Sequence, residues 1–393
     1  MEFLFWTALA IVFYTYAGYG GLLWGLTRLK HRRRGRRRVP AARFKPEVTL
    51  VVPARNEADL LPRKLRNLLA LDYPAEKLRL LFVTDGSTDG SEELLRRLGG
   101  DRIEVLHQPK CAGKAAAVNR AVRHVTTPFV VICDADTELD AGAVRALMNP
   151  YGDAKVGAVL GDKRVRNAEA SSLHRRYESW LKRRDDELHT LVAAGGELFS
   201  FRTAAYTPLK HDTILGDFVQ SLLVAGQGYR VAYAPDAYAT ELPPASARKE
   251  LKQKIRLCAG GWQAMVRLAP LLRFWRNPLL SFQYVSHRAL RWSLAPPALL
   301  LLLPMGLLAH QAHGGIYTLL WAAQLGFYAL VGLGWLLGDR RPRWQAALVP
   351  FDFFLMNWAV CLGFVRWVRG RQAAASERAQ RPYPSGELRR EPT

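Results

Sequence analysis

The sequence predicts an α/β domain that is held to a membrane by apolar helices. Residues 46–265 contain short apolar strands that alternate with helix-like stretches, which is the pattern of a parallel sheet covered by helices. Residues 1–28 and 291–370, by contrast, contain apolar runs long enough to cross about 30 Å of hydrocarbon. With 49% hydrophobic residues among 393, the chain has enough apolar material for both parts.

The first apolar run, Phe3–Leu26, predicts a membrane helix within residues 1–28. Only Glu2 precedes this run, whereas seven Lys or Arg follow it within Lys30–Arg38. The positive-inside rule therefore places the start of the helix outside and the basic linker, residues 29–45, in the cytoplasm. A cleaved signal peptide is the alternative, but its positive charge would precede the apolar run.

The net charge of +22 allows nucleic acid, anionic lipid or phosphorylated substrates as partners. Its distribution favours lipid, because Arg340–Arg343 and Arg366–Arg371 also follow apolar runs. Basic residues beside a membrane segment are attracted to anionic headgroups. We therefore expect membrane lipids, and no nucleic acid, as partners. The four cysteines are far apart in the chain, which favours a reducing compartment and argues against disulfides and structural zinc.

Four strands and three helices are predicted in the α/β domain. The strands are Val48–Val52, Leu78–Val83, Ile103–Leu106 and Phe129–Cys133, and the helices are Leu60–Ala70, Glu92–Leu98 and Ala115–Val125. In parallel sheets of this kind, ligands bind beyond the carboxyl ends of the strands. Several polar motifs follow these strands, so that edge of the sheet is the expected site.

The carboxy-terminal part, residues 291–370, is predicted to contain a transmembrane hairpin formed by Trp292–Ala309 and Ile316–Leu337. A last run, Ala346–Val368, either crosses the membrane or is re-entrant. Polar residues such as Asn357 within it are expensive against lipid unless they face protein or water.

Two flanking regions have a different character. Residues 266–290 interleave aromatic and arginine side chains and are predicted to form an interfacial helix region. Residues 371–393 are polar and are predicted to be a disordered tail.

Polar motifs follow the first two predicted strands. The first strand leads into Pro53-Ala54-Arg55-Asn56-Glu57, and the second leads into Asp85-Gly86-Ser87-Thr88-Asp89-Gly90. Each motif alone is ordinary loop chemistry. Together and in this order they resemble the nucleotide-binding half of family-two inverting glycosyltransferases, whose catalytic domain has the GT-A fold, a Rossmann-like nucleotide-sugar-binding domain. The resemblance implies that Pro53 and Glu57 line the base and ribose pocket and that Asp85 contacts the nucleoside.

Two further motifs carry charge suited to a diphosphate. Lys114 follows Gly113 at the start of a helix, where an ammonium group and free backbone N–H groups favour phosphate. Asp134 and Asp136 follow the fourth strand with the spacing of a D-x-D pair, which suits a divalent cation with oxygen ligands. Both motifs resemble segments of the same family. By that resemblance Asp136 binds Mg²⁺ or Mn²⁺, with Asp134 beside the metal and the nucleotide.

The resemblance continues beyond the D-x-D pair. Gly196 and Glu197 match a segment that lines the donor sugar and the acceptor, and Asp217 matches the catalytic base that removes a proton from the acceptor hydroxyl. Asp217 could instead cap the helix that follows it, since Asp is a favoured cap. The L-G-D sequence here also lacks an acidic residue that many relatives have before this aspartate.

Gln253 and Arg256 lie three residues apart on one helix face, where both can point at phosphate or the acceptor. Processive polysaccharide synthases have Q-x-x-R-W here, and Leu257 replaces that tryptophan. The replacement favours a single transfer over polymerisation, although Trp262 could substitute as the residue that stacks on an acceptor sugar.

The function implied by the resemblance is metal-dependent, inverting transfer of a hexose or related sugar from a nucleoside diphosphate donor, expected to be a UDP-sugar. Polysaccharide synthases and ceramide-glucosyltransferase-like enzymes belong to the same group, so the expected acceptor is a lipid-linked or polysaccharide one. The expected location is the cytoplasmic face of a bacterial inner cell membrane. Three alternatives remain open, namely a processive exopolysaccharide synthase, a nucleotidyltransferase and a non-catalytic membrane scaffold.

Overall fold

The computed structural model describes residues 2–34, 44–165, 173–192, 198–241, 247–337 and 349–370. The predicted tail, 371–393, lies outside the described residues, as do positions 35–43 of the predicted linker. The predictions of a disordered tail and of a basic linker therefore remain predictions.

An eight-stranded mixed sheet forms the centre of the α/β domain, with the strand order β3-β2-β1-β4-β7-β6-β8-β5. The strands are β1 (Val48–Ala54), β2 (Leu78–Asp85), β3 (Ile103–Gln108), β4 (Phe129–Ile132), β5 (Thr137–Leu139), β6 (Val156–Val165), β7 (Phe199–Arg202) and β8 (Arg230–Glu241).

One half of the sheet is parallel, as the sequence predicts. β1 pairs in parallel with β2 and with β4, and β2 pairs in parallel with β3. All four predicted strands exist, with the predicted starts and with ends within two residues of the prediction. β4 ends one residue early, at Ile132, and leaves Cys133 to the following loop. Strand β1 is buried along almost its entire length, which explains why it appears in the sequence as an uninterrupted apolar run.

The other half of the sheet has mixed directions. β7 pairs antiparallel with both β4 and β6, β6 pairs in parallel with β8, and β5 adds antiparallel to β8. β5 and β7 have only three and four residues, too few to produce a recognisable period in the sequence.

Helices cover both faces of this sheet. They are α3 (Leu61–Leu69), α4 (Ser91–Gly99), α5 (Lys114–His124), α6 (Ala143–Met148), α7 (Leu173–Leu188) and α8 (Gly216–Gly226), preceded in the chain by α1 (Glu2–Phe13) and α2 (Tyr19–Arg34). One apolar core lies between the sheet and α5 and α8, and a second lies between the opposite face and α3 and α6. The three predicted helices correspond to α3, α4 and α5.

Helices α1 and α2 are joined by a π-helical turn, Tyr14–Gly18, so that one long helix leads from the amino-terminal region into the domain. After the sheet come α9 (Ala247–Arg267), α10 (Pro278–Tyr284), α11 (Leu290–Trp292), α12 (Ala295–His313), α13 (Ile316–Leu337) and α14 (Val349–Val368). Four helical segments in the described residues are long and apolar enough to cross a membrane: Glu2–Arg33, Ala295–His313, Ile316–Leu337 and Val349–Val368.

The predicted interfacial region, 266–290, is not one continuous helix. A 3₁₀ turn at Ala269–Leu272, the short helix α10 and a π-helical turn at Val285–Ala289 follow one another. Pro270 and Pro278 each stand at the start of one of these elements, where the missing N–H costs nothing. The hairpin prediction is close, because α13 has the predicted ends and α12 is displaced by three residues at its start and four at its end.

Candidate active site

The loops after β1 and β2 are held together by hydrogen bonds. Asn56 has a positive φ of 53°, a conformation that asparagine tolerates, and its Oδ1 accepts the backbone N–H of Thr88 at 2.8 Å. The Asp89 carboxylate accepts the N–H of Ala58 at 2.9 Å. The two motifs that the sequence separates by about 30 residues therefore form one surface, and Pro53, Glu57 and Asp85 all line the same cavity.

Asp85 is almost fully buried at the end of β2. Its carboxylate accepts the backbone N–H groups of Ala112 at 3.0 Å and Gly113 at 2.7 Å. Asp85 therefore fixes the turn that starts α5, and through that turn it positions Lys114. A structural role of this kind is compatible with the predicted contact to the nucleoside, because the residue also reaches the cavity.

Lys114 donates a hydrogen bond from Nζ to the Oδ1 of Asp134 at 2.6 Å. Burial lowers the pKa of Lys114, but the carboxylates of Asp134, Asp217 and Asp136 outweigh it and hold that pKa above its ordinary value. The ammonium group is therefore charged at neutral pH. It joins the helix start to the acidic loop after β4, as is needed if both are to contact one diphosphate.

Asp134 and Asp136 are the residues whose chemistry suits a metal. Both are carboxylates and both line the cavity, while the described residues contain no group of three or more His, Cys, Asp or Glu side chains that could hold an ion. Mg²⁺ is commonly held by one or two carboxylates together with substrate phosphates and water, so a pair of carboxylates fits a cation that arrives with a nucleotide.

Asp217 is the second residue of α8, and Leu215 occupies the N-cap position. The structure therefore does not make Asp217 the helix cap, which was the alternative to a catalytic role. Burial raises the pKa of this carboxyl, Lys114 lowers it and Asp134 raises it, with a net result above the ordinary value. A carboxylate with a raised pKa beside the acidic pair is a stronger proton acceptor than an exposed aspartate.

The loop that leads to Asp217 is anchored by Asn119 of α5. The Oδ1 of Asn119 accepts the hydroxyl of Tyr206 at 2.6 Å and the N–H of Leu209 at 2.9 Å, and its amide donates to the carbonyl of Leu209 at 2.7 Å. The helix that presents Lys114 is thus fastened to the segment that presents Asp217.

A single cavity of about 750 Å³ joins these groups. Nine predicted site residues line it: Pro53, Glu57, Asp85, Lys114, Asp134, Asp136, Asp217, Gln253 and Arg256. Leu257 lines it too, at the position where processive synthases have tryptophan.

Among the described residues, one predicted site residue, Trp262, does not line the cavity. Trp262 packs against α14, with its ring 4.6 Å from that of Phe364 and stacked at 6.2 Å on that of Trp367. It therefore does not take the place of the missing tryptophan at Leu257. Gly196 and Glu197 lie outside the described residues.

The far end of the cavity is formed by residues that sequence reasoning missed. Tyr16, Glu178, Arg291 and Asn357 line it, together with apolar side chains of α14. The Glu178 carboxylate accepts from Arg291 at 2.5 Å, and the Tyr16 hydroxyl donates to Asn357 Oδ1 at 2.5 Å. The one signal in the sequence was the presence of Asn357 in an apolar run.

A buried polar network lies directly behind that end. Asp185 accepts the hydroxyl of Tyr19 at 2.5 Å, contacts Nδ1 of His287 and accepts the amide of Gln283 at 3.0 Å. These residues belong to α2, to α7 and to the segment that follows α9, so the network fastens the amino-terminal helix to the domain.

The fold and the cavity together define a GT-A-like glycosyltransferase, in which strand-end loops, an acidic pair and a half-buried carboxylate surround one cavity. Comparison with protein families identifies the particular group. Residues 49–208 match the model for glycosyl transferase family 2.

Curated relatives include poly-β-1,6-N-acetyl-D-glucosamine synthases. The protein from Staphylococcus aureus strain MSSA476 is 29% identical over 259 residues, and the one from Staphylococcus epidermidis is 25% identical over 232 residues. These matches cover 62% and 56%, respectively, both of this chain and of the relative. The matched region thus spans less than two thirds of each synthase.

A solved structure resembles most of the chain. The mannosyltransferase from Pyrobaculum calidifontis, determined with GDP-Man and Mn²⁺, has a TM-score of 0.67 at 24% identity, with 94% of this chain and 99% of that chain covered. At this level of identity the likeness shows that the GT-A-like fold is shared.

Proposed function

We propose that this protein is a metal-dependent, inverting glycosyltransferase that moves a sugar from a nucleoside diphosphate donor, preferably a UDP-sugar, to a lipid-linked or glycan acceptor at the cytoplasmic face of the membrane. One observation carries the proposal. The same cavity contains the strand-end loops, the Asp134–Asp136 pair with Lys114, the half-buried Asp217 and a far end lined by α14.

The chemistry assigned to this chain's residues is direct displacement. Asp217 removes the proton from the acceptor hydroxyl, the freed oxygen attacks the anomeric carbon, and the bond from that carbon to the diphosphate oxygen breaks with inversion. Lys114 contacts the departing diphosphate and offsets part of its charge. A divalent cation, Mg²⁺ or Mn²⁺, held by Asp134 and Asp136 would neutralise the rest.

The two ends of the cavity suggest how the substrates are arranged. Pro53, Glu57 and Asp85 lie at the end where the base and ribose of the donor are proposed to bind. Gln253 and Arg256 come from α9, and with the far end they form the proposed acceptor side. Gly196 and Glu197 remain proposed donor and acceptor contacts.

A single transfer is favoured over polymerisation. Leu257 lies in the cavity, whereas Trp262 packs against α14, so among the described residues this segment offers no tryptophan to stack on a growing sugar chain. The curated relatives are named as synthases of a polymer, so the size of the product tests this point directly.

The experiment is release of nucleoside diphosphate by the purified full chain in lipid, with a panel of UDP- and GDP-sugars and with Mg²⁺, Mn²⁺ or chelator. We expect one donor to give metal-dependent turnover, and we expect Asp136→Ala to abolish it. Asp140→Ala, a carboxylate four residues further along that does not line the cavity, is the matched control.

The outcomes separate the competing functions. Release of a sugar 1-phosphate, with transfer of the nucleotidyl group, instead of a nucleoside diphosphate would identify a nucleotidyltransferase. Absence of any metal-dependent nucleotide binding by the folded protein would identify a scaffold. Long products on a gel would identify a processive synthase.

A further inference from the structure

Helix α14 has the length and apolar character of a membrane span. The contacts that it makes with other helices, however, are not those of a helix that crosses the membrane. We propose that only three helical segments cross the membrane, namely α1 with α2, α12 and α13. In this arrangement α14 lies along the membrane surface on the side of the catalytic domain, with its exposed face among the lipids of that leaflet.

Contacts between helices identify the two membrane faces. The hydroxyl of Tyr317, at the start of α13, donates to Glu2 at 2.9 Å, and His313, at the end of α12, lies 3.4 Å from the same carboxylate. These residues therefore mark the face away from the catalytic domain. Tyr19, about 26 Å further along the helix from Glu2, bonds to Asp185 of the domain and marks the opposite face.

The start of α14 lies near the domain face. A Cβ placed on Gly334 would come within 2.5 Å of Phe351, so the two helices touch there. Gly334 is about 26 Å along α13 from Tyr317. The middle of α14 lies near the same face, because Asn357 is bonded to Tyr16, three residues before Tyr19.

The end of α14 lies there as well. A Cβ on Gly363 would come within 2.6 Å of Cys258, and Phe364 and Trp367 pack on Trp262. Residues further along α14 contact residues further along α9, so the two helices lie side by side and are parallel.

Helix α9 cannot lie in hydrocarbon. Gln263, the residue after Trp262, donates to the carbonyl of Asp212, and Arg267 pairs with the Asp212 carboxylate at 2.6 Å. Gly260 is pressed against Ile214, in the loop that leads to Asp217. If α14 crossed the membrane, its last turns would be about 28 Å from its first residue along the bilayer normal. The end of α9 and the loop that it contacts would then have to lie on the far side of the hydrocarbon, away from the rest of the catalytic domain.

The exposed face of α14 fits the surface of a bilayer. Its exposed large side chains are Val349, Met356, Trp358, Phe364, Val365 and Val368, all of them apolar. Arg366 and Arg369 stand near the end of the helix, where anionic headgroups would neutralise them. With α14 on the surface, Lys30 near the end of α2 falls on the same side of the membrane as Arg366 and Arg369, as the positive-inside rule favours.

The test is labelling of single added cysteines with a membrane-impermeant maleimide, with the unsubstituted chain as background. Ala312→Cys reports the end of α12, Asp101→Cys reports the catalytic domain, and Ser385→Cys reports the chain beyond α14. We expect Ser385→Cys to behave like Asp101→Cys in intact and permeabilised cells, and opposite to Ala312→Cys. Agreement of Ser385→Cys with Ala312→Cys would overturn the proposal.

Depth measurements give a second readout. Cysteines at Met356 and Val368, about 18 Å apart along α14, are labelled with a fluorophore and quenched by lipids that carry nitroxides at different depths. We expect equal, shallow depths for this pair. The matched pair on α13, Leu319 and Leu330, should show different depths, and a similar difference on α14 would show that it crosses.

Discussion

The two ends of the cavity differ in how they are built. At the donor end, loops from neighbouring parallel strands meet at one edge of the sheet, and most of the polar contacts involve backbone groups, as with Asp85 and the turn before Lys114. At the far end, here named the membrane end because α14 lines it, charged side chains from distant parts of the chain pair with one another, as Arg291 does with Glu178. The donor end is thus organised by the fold, whereas the membrane end depends on individual side chains.

The largest effect is expected at the junction of the two ends, at Asp217. Asp217→Asn keeps the shape of the side chain but removes the proton acceptor. We expect turnover to fall by about 10²- to 10⁴-fold, with little change in the affinity for the donor. The measurement is steady-state release of nucleoside diphosphate. Asp212→Asn, an exposed aspartate in the same loop, is the control and should retain most of the activity.

An Asp217→Asn protein with normal turnover would remove Asp217 from the mechanism. A loss confined to donor affinity would instead place this residue at the donor end.

The same contrast explains what the sequence could predict. The loops after β1, β2 and β4 follow buried apolar strands, and their order along the chain is enough to bring them together in a parallel sheet. The predictions of Asp85, Lys114, Asp134 and Asp136 as neighbours needed only that rule.

The membrane end could not be predicted in this way. Tyr16 and Asn357 are separated by 341 residues, and Glu178 and Arg291 by 113 residues. No periodicity in the sequence reports such pairs. Trp262 is a case in which the sequence suggested a contact that the structure does not contain. An aromatic residue near a sugar-binding motif suggested stacking on a substrate, but α14 lies close to α9 and the Trp262 ring packs against Phe364.

The second prediction concerns the charged pair at the membrane end. Arg291 and Glu178 are only 10% and 16% exposed, and although burial opposes ionisation of Glu178, Arg291 holds the pKa of that carboxyl well below its usual range. Glu178→Gln leaves a buried guanidinium without its counter-charge. We expect the free energy of unfolding to fall by about 3 kcal/mol.

Thermal unfolding in detergent measures this change. Glu187→Gln on the same helix breaks the more exposed pair with Arg184 and should cost at most about 1 kcal/mol. If Glu178→Gln and Glu187→Gln lowered the free energy of unfolding by equal amounts, the buried pair would contribute no more to stability than the more exposed pair.

The third prediction uses Asp186, on the same helix as Glu178. Burial raises the pKa of this carboxyl to about 6, although Arg230 lies 2.7 Å away and lowers it. The folded protein therefore binds a proton more tightly than the unfolded chain. The resulting stability is full below the unfolded pKa of 3.8 and is lost as the pH rises to about 6, at about 1.4 kcal/mol per pH unit.

Unfolding of the natural chain and of Asp186→Asn between pH 4.5 and about 7 tests this sign. The natural chain should lose stability relative to the variant up to about pH 6, after which the difference should be constant. A gain in relative stability with rising pH would mean that Arg230 stabilises the charged form, as Arg291 does for Glu178.

The smallest expected effect is at the hydrogen bond between Tyr16 and Asn357, which joins the amino-terminal helix to α14. Tyr16→Phe, Asn357→Leu and the double variant form a cycle, and we expect a coupling free energy of about 1 kcal/mol. A coupling near zero would mean that α14 is held by its packing on α9 alone. In that case the two ends of the cavity would differ less than their contacts suggest, because the fold would position both.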